Sequence, residues 1–182
     1  MISNDNHIYR RVPIMRLQWR EILLILATLA LMLLIITPFI NPYGRFTSLD
    51  GTVGAIDHPE LWLNSDPLTM ITYFFGDIFC PQIMSRSFIL NGSQMAFCIR
   101  DVSVLIGIVA GLVFSYTEFS KMIGFRKSIL MISYAFIILM IDWAIQHTMG
   151  VDVAISRILT GTFFGFALMC VLSSYENLIR RM

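Results

Sequence analysis

Long apolar runs constrain this chain more than any other feature. Residues 22–40 read "ILLILATLALMLLIITPFI", with no charged group among them. Three further runs follow, at about 102–119, 128–147 and 154–175. At 1.5 Å rise per residue, about 20 helical residues cross a hydrocarbon core of roughly 30 Å. Of the 182 residues, 57% are hydrophobic and 14% charged, against about 45–50% and about 25% in soluble domains. The expectation is an all-α polytopic membrane protein with four transmembrane helices. "RLQWR" before the first run has the look of a signal-peptide start, but the run is too long for a typical signal core. "TPFINPYG" also lacks a small-x-small cleavage site, so the helix reads as retained. A net charge of +1 gives no reason to expect a nucleic-acid partner, and three cysteines are too few for a disulfide-rich scaffold.

Lysine and arginine placement predicts the orientation. Arg10, Arg11, Arg16 and Arg20 precede the first run, Lys121, Arg126 and Lys127 fill the loop between the second and third, and Arg180 and Arg181 close the chain. Four spans put all of them on one side, which makes both termini cytoplasmic in a multi-pass protein of the cell membrane. Residues 1–21 then form a cytoplasmic segment. Residues 22–182 form a single bundle, with an outer loop at 41–101. Within that loop, "DPLTMITYFFGDIFC" (66–80) carries Asp66 as an N-cap and Pro67 at the first helical position, and it stops before Pro81. Such a helix is about 21 Å long, too short to span, and is expected to be interfacial or re-entrant on the outer face.

Gly107-x-x-x-Gly111 and Gly161-x-x-x-Gly165 lie in the second and fourth runs. This spacing lets helix backbones approach closely in lipid, where no hydrophobic force draws helices together. The simplest reading is a contact between the second and fourth helices, with homodimerisation through one such face as the competitor. Arg157 lies one turn before Gly161 and Arg100 two turns before Gly107, so a shared glycine contact would bring both arginines to its outer end. An arginine deep in a helix costs about 2.5–3.5 kcal/mol, so such a pair needs anions. Asp101, Asp142 and Gln146 are the nearest candidates, and Arg86 could join from the loop. Two readings stay open: ion pairs that close the bundle, or a pocket whose guanidiniums grip phosphate or carboxylate bidentately.

Cys80 and Cys98 both fall on the outer side, where a disulfide can persist and would close a loop worth about 3 kcal/mol. Two free thiols are the alternative. No metal site is expected, because only Asp77, Asp101 and the remote His58 or His147 are available to complete four ligands. Asn91-Gly92-Ser93 matches a glycosylation sequon.

The pattern formed by Cys80, Gln82, Arg86, Ser87, Phe88, Gly92, Cys98, Arg100 and Asp101 resembles the domain-of-unknown-function 2085 family of small membrane proteins from bacteria and archaea. Asp142, Gln146, Arg157, Gly161 and Gly165 are similar to a second block of that family. The resemblance spans roughly residues 70–170 and implies a membrane protein with a site here, but no reaction. The family's histidine after the first cysteine is Pro81 in this chain, which removes any ligand or base at that position.

The functional expectation is a non-enzymatic membrane protein binding an anionic lipid headgroup or similar amphiphile through Arg86, Arg100, Asp101, Asp142, Gln146 and Arg157, with no cofactor. An accessory subunit docking on a membrane-protein partner is the alternative. An enzyme acting on a lipid-linked substrate comes third, since no nucleophile–base pair or HExxH-type helix is visible.

Overall fold

The computed structural model describes residues 19–179, apart from the side chain of Lys121. Arg10, Arg11, Arg16, Arg180 and Arg181, which carry much of the orientation argument, lie outside these residues. The described chain is mostly helical. Its elements are α1 (Trp19–Ile40), α2 (Pro59–Trp62), α3 (Pro67–Phe79), β1 (Ser87–Leu90), β2 (Ser93–Cys98), α4 (Ile99–Phe114), α5 (Glu118–Met122), α6 (Phe125–Met149) and α7 (Ala154–Ile179), with a 3₁₀ turn at Met84–Arg86.

Three helices, α1, α6 and α7, are long and apolar enough to cross a membrane. The second expected span is shorter than its apolar run. Its helix begins at Ile99 but stops at Phe114, giving 16 residues and about 24 Å. Polar chemistry ends it. Ser115 turns its hydroxyl back to the Leu112 carbonyl, the Tyr116 and Thr117 amides bond three residues back, and Ser120 Oγ donates to the buried Ser115 carbonyl.

α4 and α7 form the central pair. A Cβ on Gly107 would collide with the Thr162 carbonyl, and one on Gly165 with the Val104 carbonyl. Gly161 faces the Arg100 carbonyl and Ser103, while Gly111 faces Phe166 and Met169. Backbone therefore meets backbone along this seam, with α6 flanking α7 and α1 flanking α4.

Residues 41–98 depart most from expectation. An antiparallel hairpin, β1–β2, interrupts the all-α reading. Its turn is Asn91-Gly92, both at positive φ (51° and 69°), the left-handed pair that matches strand twist. The sequon is thus a hairpin turn. The Asn91 amide donates to the Pro38 and Asn41 carbonyls, capping α1, and Ser93 is fully buried. The chain between α1 and α3 is not an open loop either. Phe46 stacks on Tyr73 at 4.0 Å, and Leu49, Trp62 and Met95 join them in the main apolar core.

α3 follows its expected course. The Asp66 carboxylate accepts the Leu68 and Thr69 amides, and Cys80 ends the helix in extended backbone before Pro81. Its Gly76 presses on the Ala96 carbonyl of β2 and the amide of Gln82. Burial is inverted around the helix: Thr69, Thr72, Tyr73, Gly76 and Asp77 face inward, while Leu68, Ile71, Phe75 and Phe79 are exposed.

Candidate functional site

α3, the hairpin and the facing ends of α4, α6 and α7 enclose a cavity of about 260 Å³. Arg86, Arg100, Asp101, Gln146 and Arg157 line it, together with Cys98, Trp143 and His147. Asp142 stands behind Arg100 and joins the same network. All six polar residues singled out from the sequence therefore meet at one end of the bundle.

Each arginine comes from a different element. Arg100 sits in the first turn of α4, two turns before Gly107, with its own carbonyl against Gly161. Its Nη2 donates to Asp142 Oδ2 of α6 at 2.9 Å, whereas its buried Nε has no hydrogen-bond partner among the described residues. Arg157, in the first turn of α7, is 5% exposed. It donates from Nε to Gln146 Oε1 at 2.6 Å and from Nη2 to Asp152 Oδ1. Arg86 ends the 3₁₀ turn before β1, and its Nε meets the same Asp152 Oδ1 at 2.8 Å.

Asp152 is the residue that the sequence reading missed. It lies in the turn between α6 and α7, two residues beyond Gly150, which closes α6 in left-handed backbone at φ 63°. Besides the two arginines it accepts the Ser85 hydroxyl. Partial burial pushes its carboxyl up, but the Ser85 hydrogen bond and the Arg157 and Arg86 charges outweigh this and hold it below its ordinary value. A chain-order signal existed, since Asp152 is five residues before Arg157. Its pairing with Arg86 joins residues 66 apart and required the fold.

Gln146 organises the α6–α7 side. Its amide donates to Asp142 Oδ1 and Ser156 Oγ at 2.8 Å each, while its oxygen receives Arg157. His147 is exposed and stacks on Trp143 at 5.3 Å.

The expected Cys80–Cys98 disulfide is not formed. Both cysteines are free thiols. Cys98 directs its Sγ to Asp101 Oδ2 at 2.9 Å, and Cys80 Sγ receives the Cys98 amide at 3.1 Å. The contact with Cys98 lowers the Cys80 thiol, whereas Cys80, burial and Asp101 push the Cys98 thiol up. Asp77 points elsewhere, accepting the Asp57, His58 and Trp62 N–H groups behind α3. His58 lies in that same group of residues, remote from the cavity.

An apolar groove of about 400 Å³ lies alongside, walled by α1, α3 and α4 through Leu33, Leu34, Ile71, Phe75, Leu105 and Ile108. Asp101 borders both spaces.

Residues 80–171, just over half of the 182-residue chain, match the model of a family described as "Predicted membrane protein (DUF2085)". The match begins at Cys80 and takes in the hairpin, α4, α6 and most of α7, and with them every arginine of the cavity. No curated protein and no solved structure matches the chain.

Proposed function

The chain belongs to this family of predicted membrane proteins, and from that premise we propose that it crosses the membrane four times, with both termini cytoplasmic, and holds an anionic lipid headgroup or similar amphiphile in the arginine-lined cavity. Four spans put Arg20, Arg126 and Lys127 on one side and the cavity on the other. α4, at 16 residues, is short for a span, but local thinning of the bilayer and the long side chains at its ends accommodate such a mismatch at modest cost. The exposed Leu68–Ile71–Phe75–Phe79 stripe of α3 suits a helix lying in the outer interface.

The observation that carries the binding reading is the unpartnered Nε of Arg100 on the wall of a cavity lined by three guanidiniums. A buried charged donor left unpaired costs more than the about 1–3 kcal/mol of a neutral one. A phosphate or carboxylate oxygen removes that cost, and the planar fork of arginine donates to such a group in two-point geometry. Arg86 and Arg157 share one carboxylate oxygen, so each keeps donors for a further acceptor. The neighbouring apolar groove matches the acyl portion of such a ligand.

A second reading has its own support: Asp142 and Asp152 already pair with all three arginines, which describes a structural clasp. Native mass spectrometry with added phosphatidylglycerol separates the two. An amphiphile site loses lipid retention in Arg100→Ala/Arg157→Ala and keeps it in Arg20→Ala. Equal retention in all three proteins leaves the clasp alone.

A further inference from the structure

The cavity wall holds a second group of side chains that the anion-binding reading does not use. Cys80 Sγ, Cys98 Sγ and a carboxylate oxygen of Asp101 all lie within 4.8 Å of one another. Two thiols and a carboxylate are poor partners for a lipid phosphate. They are the donor types that bind a thiophilic divalent cation.

Three features of the fold place these donors. Cys98, the last residue of β2, is the N-cap of α4, and Asp101 follows three residues later in the first turn, close enough for Cys98 Sγ to reach its Oδ2 at 2.9 Å. Cys80 comes from the far side, at the end of α3, where its own amide is anchored to the Gly76 carbonyl at 2.8 Å. Gly76 in turn rests on the Ala96 carbonyl of β2, the strand that ends at Cys98, so the two cysteine backbones are held close together. The Cys98 amide donates to Cys80 Sγ, orienting one sulfur lone pair and leaving the others.

We propose that Cys80, Cys98 and Asp101 form a three-ligand site for a thiophilic divalent cation, zinc foremost, whose remaining position opens toward the arginine-lined cavity. Zinc–sulfur bonds of about 2.3 Å and zinc–oxygen bonds of about 2.0–2.2 Å put ligand atoms of a tetrahedral site roughly 3.5–3.8 Å apart. Atoms already within 4.8 Å reach that spacing by side-chain rotation, without moving either helix. Cys80 is 2% exposed and closes the site from behind, while Cys98 and Asp101 line the cavity. Three protein ligands with a fourth, open position is the arrangement of zinc sites that bind an exchangeable molecule, as opposed to closed four-ligand structural sites. Two thiolates and a carboxylate around a dication leave one excess negative charge, and Arg100, on the same turn of α4, supplies the answering cation. His147 of the same cavity is not required as a ligand.

This inference stands apart from lipid binding, and its experiment uses no lipid. The full chain is purified in detergent under reducing conditions, stripped with a chelator and titrated with Co(II), then with Zn(II). The expected result is one equivalent of Co(II) with a thiolate-to-metal charge-transfer band, displaced by Zn(II) and absent in Cys80→Ser/Cys98→Ser. Asp101→Asn keeps both thiols and weakens binding on the order of 10–100-fold, since even outer-shell partners contribute that much. Alkylation of the unaltered protein provides a readout that survives misfolding of a variant. Zn(II) should protect Cys80 and Cys98 while leaving the rate at Cys170 unchanged. Absence of the band, Co(II) binding that persists in the double serine variant, or unprotected Cys98 with Zn(II) present would each overturn the proposal. So would recovery of the pair as a disulfide that resists alkylation until reduced.

Discussion

The two ends of the α4–α7 seam use the same ingredients to different effect. At the Arg20 end, one guanidinium is answered by Glu176 at 2.6 Å and by the Ser115 and Ser173 carbonyls. The serines around it close onto one another, Ser128 on Ser174 at 2.7 Å and Ser120 on Ser115. No space for a water remains between them. At the hairpin end three guanidiniums share two carboxylates, and a cavity of about 260 Å³ stays open. Both ends also hold an unpartnered buried atom. At the Arg20 end it is the neutral Ser173 hydroxyl; at the hairpin end it is the charged Arg100 Nε. Ion pairing by itself therefore does not make a site. An excess of donors and room for a ligand distinguish the second end from the first.

The largest effect tests the seam on which both ends depend. Gly107→Leu drives a side chain into the Thr162 carbonyl and should cost about 3 kcal/mol or more. Loss of the helical signal at lower temperature in detergent would register it, and an unchanged transition would refute the backbone contact. Next come the buried arginines. Arg157→Ala takes one of two arginines from Asp152, which keeps Arg86 and Ser85, and strips Gln146 Oε1 of its guanidinium donor, so it should cost about 1–3 kcal/mol. Arg20→Ala should destabilise in the same assay without altering phosphatidylglycerol retention; if it strips lipid too, the functional contrast between the ends collapses.

Arg100→Lys sharpens the contrast further. It preserves charge but removes the fork, so lipid retention in native mass spectrometry should fall about tenfold, near the lower bound of a charged hydrogen bond. A smaller effect follows from pH. The Asp152 carboxyl is held below the usual aspartate value, so its contribution to stability is complete above that usual value. It is lost as pH falls through the lower folded-state value. Asp66 is lowered in the same direction by the Thr69 hydroxyl, so the two acid responses overlap. Subtracting the Asp152→Asn melting curve from the wild-type one isolates the Asp152 share. Smallest of all, Glu60→Gln breaks only an exposed 3.7 Å contact with His58 and should shift stability by at most about 0.5 kcal/mol, measured by the same melt.

Much of this site was readable in chain order because helical periodicity places residues on faces. Arg100 with Gly107, Arg157 with Gly161 and Asp142 with Gln146 are each separations within one helix. A signal for the hairpin was present, Asn91-Gly92 between Phe88-Ile89-Leu90 and Met95-Ala96-Phe97, but the sequence analysis takes that triplet as a glycosylation sequon within an outer loop and misses the strands. The compact residues 41–65 were less legible. Gly, Pro, Asn and Asp mark turns whether or not the intervening Phe46, Leu49 and Trp62 find a common core.

Apolar runs, cap residues and glycine spacing are properties of neighbours along the chain, so sequence alone determined a helical membrane protein, the start of α3 at Asp66 and the alignment of arginines with glycines. The sharing of Asp152 by Arg86 and Arg157, the turning of Cys98 to Asp101 instead of Cys80, and the contrast between a sealed and an open bundle end were decided only in three dimensions. Each depends on the positions of side chains brought together from remote segments, and ångström-scale differences in those positions decide which partner is reached and where a space is left.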